Sequence, residues 1–420
     1  MCGKSAQKGA SLQADIMRIL LLNQCFYPDH VATAQYLTEL ALGLREAGHE
    51  VTVVASSRGY DNPQNRYPSH EVWRGIDIRR IWTPGLGKVA KWRRLLDFAS
   101  FWLSATLILL RLKKFDVTVC LTSPPLISTL GTVMVKIKGG AVVPWIMDLN
   151  PDEAVAAGWL KAGGFVERVL SLLQRWSFRQ ASRIIALDRF MAARLEAKGV
   201  PAEVIHTDPP WSHDAAVRYD EEGRQAFRAE HGLTEKFVVM YSGNHSPCHP
   251  LDALLESAHE LVGQSHIHFL FVGGGSELEK VKRFRDRHGL PNITTLPYQP
   301  MAKLAGSLSS ADLHTVVLGD PFVGIVHPCK IYNILALGLP FLTLGPKQSH
   351  LRDLAAQLPP GNHWAVENGR PAEVKKMILL AAERRFTKPN PAAQSLAKEF
   401  AMEVLRSRLI QVIEETGKES

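Results

Sequence analysis

The sequence lacks the features of several protein classes. Its five cysteines are scattered and odd in number, with no CxxC pair, so neither a disulfide framework nor a zinc site is indicated. No heptad, short-period repeat or low-complexity tract is present. Residues 1–16 lack the continuous apolar core of a secretion signal, and we expect a disordered extension or a misplaced start there. A globular protein of the reducing cytoplasm fits these absences.

Acidic residues are fewer than basic ones, at 41 against 49, which gives a formal charge of +8. This excess suits an anionic partner, such as a sugar nucleotide, a phospholipid surface or a nucleic acid, and charge alone does not choose among them. Basic residues interleaved with aromatic ones do not occur on a recognisable nucleic-acid-binding motif. We therefore expect no nucleic acid as a partner.

The length and the apolar pattern predict two α/β domains. With 420 residues and 46% hydrophobic content, the chain can bury more than one core. An apolar run at 18–22, helical periodicity at 34–46 and a second apolar run at 50–55 are typical of a doubly wound sheet. The Pro-rich stretch 207–213 breaks this alternation. The predicted parts are 17–206, 214–390 and a helical tail at 391–420.

The segment from Pro328 to Pro340 reads as a short loop, an amphipathic helix and a Gly stop before a strand. Lys330 stands at the helix entrance, and Tyr332 and Asn333 lie on the first turn. Polar groups beside the positive end of a helix form a ready site for a phosphorylated ligand. Gly338 is expected to end the helix.

This segment resembles the nucleotide-sugar segment of glycosyltransferase family 4, in the branch that builds bacterial surface polysaccharides. That branch reads roughly Pro-Ser-Lys-Ile-Tyr-Glu-Tyr-Leu-Ala-Ala-Gly-Lys-Pro, and here Cys329 replaces the Ser and Asn333 the Glu. The resemblance implies the GT-B fold, in which two Rossmann-like lobes with doubly wound parallel sheets face each other across a cleft. It also implies that the tail at 391–420 crosses back to the first lobe.

Three further segments, 241–245, 272–276 and 296–300, resemble the donor-binding half of the family. The resemblance places the first loop at the diphosphate, the glycines of the second beside the nucleotide and the third at the base. Plain strand-to-helix turns and a tight hydrophobic corner are the alternatives. The donor-binding candidates in these loops are Gly243, Asn244, His245, Gly274, Gly275, Tyr298 and Gln299.

The segment around the helix departs from the family pattern. Most members have two glutamates seven residues apart, and neither is present here. Asn333 occupies the second position. No Glu is available near the first position, where the candidates are the backbone amides after Gly324, with His327 nearby. Lys330 suits a diphosphate whose charge grows as the glycosidic bond breaks. The alternative for Lys330 is a solvated side chain over a helix end.

Carboxylates and a histidine after two strands of the first lobe are the catalytic candidates. Asp29 and His30 lie in a loop that resembles the family loop near the transferred sugar, and could position an acceptor or take its proton. Either could instead cap the next helix. Asp148 lies in a segment similar to the branch's Asp-Leu-Trp-Pro-Glu motif, and we expect it to be functional. Asp152 has two interpretations that stay open, a role in acid–base chemistry and a place in the first turn of a helix.

A basic segment at 88–94 leads into sixteen mostly apolar positions at 95–110. This length is short of the about 20 residues that span a bilayer. Basic flanks and two tryptophans suit a helix lying on an anionic membrane surface. A buried helix with a solvated basic rim is the alternative.

The resemblance implies a glycosyltransferase of the hexosyl or N-acetylhexosaminyl type. It would move a sugar from a nucleotide diphosphate, uridine-linked in this expectation, to a lipid-linked or glycan acceptor, with retention and with no metal or other cofactor. Two alternatives stay open, a sugar-nucleotide epimerase on the same fold and a non-catalytic subunit that binds the sugar nucleotide.

Overall fold

The computed structural model describes residues 16–60, 62–86, 91–212, 217–384 and 388–420. The predicted extension at 1–16 therefore lies outside the described residues, except for Ile16. Contacts divide the chain into two compact units, one of residues 1–143 with 410–420 and one of residues 144–409. The predicted boundary lies later, at 207–213. Contacts such as the hydrogen bond from the Leu149 N–H to the Ile325 carbonyl assign the intervening residues to the second unit. The domain limits given above stay predictions.

The first unit is built on a six-stranded sheet of order β3-β4-β2-β1-β5-β6. β1 is parallel to β2 and β5, and β2 is parallel to β4. β3 runs antiparallel to β4 at the edge, because Arg74 and Gly75, both with positive φ, turn the chain in a two-residue hairpin. The elements are β1 Arg18–Leu22, α1 Ala32–Glu46, β2 Glu50–Ser56, β3 His70–Trp73, β4 Ile76–Ile81, α2 Lys91–Arg111, β5 Val117–Cys120, α3 Ile127–Lys138 and β6 Ala141–Pro144.

The second unit begins with three helices and a small parallel sheet of two strands. These elements are α4 Asp152–Ala156, α5 Phe165–Arg179, β7 Ile184–Ala186, α6 Arg189–Ala197 and β8 Ile205–Thr207. A larger α/β layer follows, with α7 Glu221–Glu230, β9 Phe237–Asn244, α8 Asp252–Glu260, β10 Ile267–Gly274, α9 Leu278–His288, β11 Ile293–Leu296, α10 Met301–Ser309, β12 Leu313–Val317, α11 Lys330–Leu337, β13 Phe341–Leu344, α12 His350–Ala355, β14 His363–Val366 and α13 Pro371–Arg384. The chain ends in α14 Pro391–Ala397 and α15 Met402–Lys418.

All six strands of the large sheet are parallel, in the order β11-β10-β9-β12-β13-β14. Counted from β9, this is the Rossmann order 3-2-1-4-5-6. The strand order reverses between β9 and β12, which pair with each other. Ligands of open α/β sheets bind at the carboxyl ends of the strands at such a reversal, so the ends of β9 and β12 mark the candidate site.

Helices cover both faces of this sheet. Val239 and Tyr241 of β9 belong to one apolar cluster, and Val238 and Met240 to another. Successive side chains of a strand point to opposite faces, and a parallel sheet is apolar on both. The buried run in β9 therefore fixes the strand between two layers of helices and holds its carboxyl end in place.

Asp312 is the centre of an ion-pair network that joins α7, β9 and the start of β12. It accepts hydrogen bonds from Arg224, Arg228 and the Val238 N–H. We expect Asp312→Ala to lower the free energy of unfolding by about 3 kcal/mol, because it leaves buried charges unpaired. Urea unfolding of the full chain measures this. Glu260→Ala, which removes an exposed pair with Lys375, should cost less than about 1 kcal/mol; equal losses would contradict the prediction.

Candidate active site

Two glycine loops meet where β9 and β10 end. Gly243 pairs with Gly273 in register. A Cβ on Gly273, whose φ is +132°, would lie 2.1 Å from the Gly243 carbonyl oxygen, and one on Gly275, with φ +123°, would lie 2.2 Å from that of His245. No side chain fits at these distances, so both positions require glycine. The close approach of these glycines to a nucleotide stays a prediction.

Lys330 is the first residue of α11, as predicted, and Gly338 ends this helix in the left-handed conformation. The Lys330 Nζ lies 3.7 Å from the centre of the Tyr241 ring and next to Gly243, where an added Cβ would be 3.0 Å away. It is buried and has no hydrogen-bond partner in the described part of the chain. Burial lowers the pKa of Lys330 to about 7, because the charged form loses its hydration.

Two buried histidines lie beside this lysine. The Nδ1 atoms of His245 and His249 face the carbonyl oxygens of Gly274 and Val317, at 3.2 and 2.7 Å. A carbonyl only accepts, so Nδ1 carries the proton in both rings. Burial, followed by the charge of Lys330, lowers the pKa of His245 to about 4 and that of His249 to about 3. Both rings are therefore neutral at pH 7 and add no positive charge beside Lys330.

Four other predicted residues surround the glycine loops or the helix start. Tyr298 is 60% exposed, and its ring lies against Gly274, 3.0 Å from where a Cβ would stand. Gln299 donates to the Pro297 carbonyl of its own loop. Asn244 is exposed at the end of β9, and Asn333 lies one turn after Lys330. The structure thus places the Tyr298 ring against the glycines with much of its surface exposed to solvent.

Asp148 lies beside the loop that leads to α11. It forms an isolated antiparallel bridge with Val326. Burial, followed by the nearby charge of Glu153, raises the pKa of Asp148 to about 8. The Glu153 carboxylate accepts from the Asn150 side chain at 3.0 Å and lies 4.0 Å from the Cys248 sulfur, in the loop after β9. Asp148 and Glu153 therefore interact electrostatically near the end of β9.

Glu153 was not among the predicted site residues. Its neighbour Asp152 stands at the last position of the segment similar to Asp-Leu-Trp-Pro-Glu. Asp152 forms an ion pair with Lys198 at 2.8 Å. Both residues begin α4, so adjacent side chains point in different directions around the helix. The five-residue spacing from Asp148 is the signal that could have identified Glu153.

His327 links the loop before α11 to α6. Its Nδ1 bonds Asp188 and its Nε2 the Tyr332 hydroxyl, both at 2.7 Å. Asp188 also caps α6 by accepting from the N–H groups of Phe190 and Met191. Burial alone would raise the pKa of Asp188, but the interactions with His327 outweigh it and lower the pKa to about 2. His327 therefore holds the start of α11 in place.

The ligand atoms of Asp188, His327 and His350 lie within 4.8 Å of one another. The two imidazole rings stack at 3.9 Å with an interplanar angle of 23°, so their in-plane nitrogen lone pairs run side by side and do not converge. Both His327 nitrogens already have protein partners. This geometry fits a hydrogen-bonded network better than a metal site, and a reaction without metal stays a prediction.

The predicted backbone amides after Gly324 are already used. Those of Ile325 and Val326 donate to the Phe322 carbonyl. In the first unit, Asp29 accepts from the Tyr60 N–H and the Tyr67 hydroxyl, and His30 is exposed. The N-cap of α1 is Val31, whose side chain makes no capping hydrogen bond, so neither Asp29 nor His30 is the N-cap residue.

Comparison with known proteins finds related sequences over most of the chain. Residues 32–211 match the glycosyl transferase 4-like domain family. The chain is similar to WcaI of Escherichia coli K12, whose name assigns it to colanic acid biosynthesis and glycosyl transfer, with 26% identity over 77% of this chain and 82% of WcaI. It is 22% identical to WbjE of Pseudomonas aeruginosa, named as a glycosyltransferase, over 64% of this chain and 66% of WbjE.

Solved structures share the fold. HepE of Anabaena, solved with UDP and glucose, aligns with a TM-score of 0.68 and 16% identity over 95% of this chain and all of HepE. Sucrose-phosphate synthase of Thermosynechococcus elongatus aligns with a TM-score of 0.75 and 13% identity over 96% and 99% of the two chains. These neighbours are GT-B proteins, which confirms the predicted fold class.

The lowered pKa of Lys330 predicts a pH-dependent stability. The pKa of Lys330 is about 7 in the folded protein, against an ordinary value of 10.5. Between these two pH values the unfolded chain binds more protons than the folded one, so the free energy of unfolding that this group contributes rises with pH. We expect Lys330→Met to be more stable than the parent at pH 7, with the difference shrinking towards pH 9. Urea unfolding across this range measures it. Lys347→Met, at an exposed position, is the control, and equal pH dependence of the parent and Lys330→Met would contradict the prediction.

Proposed function

We propose that this chain, which has the GT-B fold, is a glycosyltransferase of the family 4-like type. In this proposal it transfers a sugar from a nucleotide diphosphate to an acceptor in surface-polysaccharide synthesis. The observation that carries the donor assignment is the buried Lys330 ammonium without a hydrogen-bond partner among the described residues. A buried cation of this kind is costly unless an anion pairs with it. The donor diphosphate is the anion that we assign to it.

Three features at one place support this assignment. Lys330 begins the eight-residue helix α11, whose first N–H groups favour negative charge. Its Nζ lies beside Gly243, so a diphosphate can approach the backbone closely. The ends of β9 and β12 are the point of the sheet where α/β proteins bind ligands. Lys330 would then stabilise the charge that develops on the leaving diphosphate.

We propose a uridine nucleotide as the donor. HepE, a structural neighbour, was solved with UDP-glucose, and the exposed ring of Tyr298 beside Gly274 suits stacking on a base. Asn333, one turn after Lys330, can hydrogen-bond ribose hydroxyls as donor or acceptor. Hexosyl or N-acetylhexosaminyl transfer, with retention and without metal, completes the proposal.

The acceptor in this proposal is a lipid-linked or growing glycan. WcaI is named for colanic acid biosynthesis, and WaaG, another structural neighbour, for lipopolysaccharide biosynthesis. No helix among the described residues is both long and apolar enough to cross a bilayer. Leu103, Leu107 and Leu110 expose apolar surface on α2, whereas Phe101 and Leu109 are buried. We include contact of this exposed side with a membrane surface in the proposal.

Asp148 is the proposed proton-accepting group for the acceptor hydroxyl. Its pKa of about 8 lies near the working pH, which suits general acid–base catalysis. Glu153 acts as a positioning residue, since its charge raises the pKa of Asp148 and its carboxylate holds Asn150. Asp29 and His30 stay candidates for contacts with the acceptor.

Donor binding gives the first test. We expect Lys330→Ala to weaken the binding of UDP by about 2 kcal/mol, the worth of a hydrogen bond to a charged group, which is roughly thirtyfold in Kd. Titration calorimetry measures it, with Lys347→Ala as the exposed control. Unchanged affinity would remove Lys330 from the site. Two incubations separate the alternatives. With UDP-sugar alone, an epimerase gives a new sugar nucleotide. With UDP-sugar and a panel of acceptors, a binding subunit leaves the donor intact in every case.

Transfer rates against pH test the carboxyl pair. We expect the transfer rate of the parent to rise with pH as Asp148 loses its proton. Removing the Glu153 charge lowers the pKa of Asp148, so in Glu153→Gln this rise should occur at lower pH. Asp148→Asn should lose about 10²- to 10⁴-fold in rate and the rise itself, while still binding UDP. The matched control is Asp152→Asn, which changes only the pair with Lys198 and should keep the parent profile. A parent-like profile for Glu153→Gln would refute the coupling.

A further inference from the structure

Helix α5 presents most of its apolar side chains to solvent and buries mainly polar ones. Phe165 is 82% and Leu172 69% exposed. The buried positions are Ser171, Gln174, Ser177 and, near the end of the helix, Phe178. The other exposed apolar residues of the helix are Val166, Val169, Leu173 and Trp176. This is the reverse of an ordinary surface helix, whose apolar stripe faces the core.

Cationic side chains border this apolar face along one edge. Arg168, Arg175 and Arg179 are exposed and spaced by seven and four residues, which aligns them in one row on a helix. Glu167 is the only acidic residue of α5, and its carboxylate accepts from the Ser171 hydroxyl at 2.6 Å. The exposed side of α5 therefore carries apolar and positive groups.

The buried side of α5 contacts the loop of the candidate active site. The Gln174 side chain donates to the Asn150 carbonyl, and the Asn150 side chain donates to Glu153. Asn150 follows Asp148 by two residues. One helix thus carries an exposed apolar face on one side and holds the loop with the carboxyl pair on the other.

We propose that α5 docks on the surface of a bilayer rich in anionic lipid. A helix of 15 residues is about 22 Å long at about 1.5 Å per residue, and an apolar face with a basic border is the pattern of helices that lie in a membrane interface. The exposed Trp176 and, before the helix, Trp159 are residues that prefer this interface. The row of arginines favours anionic lipid over an uncharged partner.

This docking goes beyond the proposed reaction, because it needs no donor or sugar chemistry. It gives the active-site loop a fixed relation to the membrane through the contact of Gln174 with Asn150. A lipid-linked acceptor would then present its head group at the surface where the Asp148 loop is held.

The test is recruitment of the full chain to vesicles of phosphatidylcholine with phosphatidylglycerol, compared with phosphatidylcholine alone. We expect Phe165→Gln/Leu172→Gln to lower the fraction bound to anionic vesicles at least fivefold. Val72→Gln/Val262→Gln, at exposed positions elsewhere, should leave it unchanged. Unfolding curves and UDP titration should match the parent, which shows that the variant is folded and keeps the donor-site assay separate.

Three results would overturn the assignment. The first is parent-like recruitment of the α5 variant. The second is a loss seen with Leu103→Gln/Leu107→Gln on α2 and absent with the α5 variant. The third is a concentration-dependent dimer, found by sedimentation velocity, that the α5 variant abolishes while its vesicle binding is unchanged, since α5 would then bind a second copy of the chain. Equal binding of the parent to both vesicle types would likewise overturn the proposal, because it specifies anionic lipid.

Discussion

A buried cation with no hydrogen-bond partner in the described part of the chain is the constraint on which the candidate site of the second unit depends. Lys330 places its ammonium over the Tyr241 ring, where the face of the ring offers partial compensation. The adjacent histidines are neutral and add no charge. An anion entering this place would restore the full charge of Lys330 and gain the attraction of the helix end. The resting protein is thus less favourable at this point than its complex, which is the property that a binding site requires.

The loops around this lysine are fixed by contacts that reach into the framework. His327 joins Asp188, the cap of α6, to Tyr332 of α11, and the Tyr332 ring packs at a tilt against Phe400 in the last part of the chain. The Asp148 loop bonds the segment before α11 on one side and α5 on the other. Displacing any of these helices would move groups at the site, since packed elements transmit shifts with little relaxation.

The sequence predicted the helix from Lys330 to its Gly stop because that segment combines several local signals, a basic entrance, helical periodicity and Gly338. The parallel strands were predictable from their apolar runs. The roles of Glu153 and His327 depended on which distant side chains the fold brings to them. A neutral His245 could not be foreseen either, because its protonation follows from burial beside Lys330. The reversed face of α5 was hidden for a related reason, since periodicity shows that a helix is amphipathic and does not show which side faces the core.

The mutual closeness of the glycine loops limits how the specificity of this protein can be altered. Gly273 and Gly275 face main-chain oxygens that cannot retreat without breaking the register of β9 and β10. For the proposed donor site, directed evolution towards another nucleotide would therefore find little at the glycines. Tyr298 and Asn333 lie on the surrounding loop and helix, and libraries built at those two positions would sample the proposed ligand contacts while sparing the sheet.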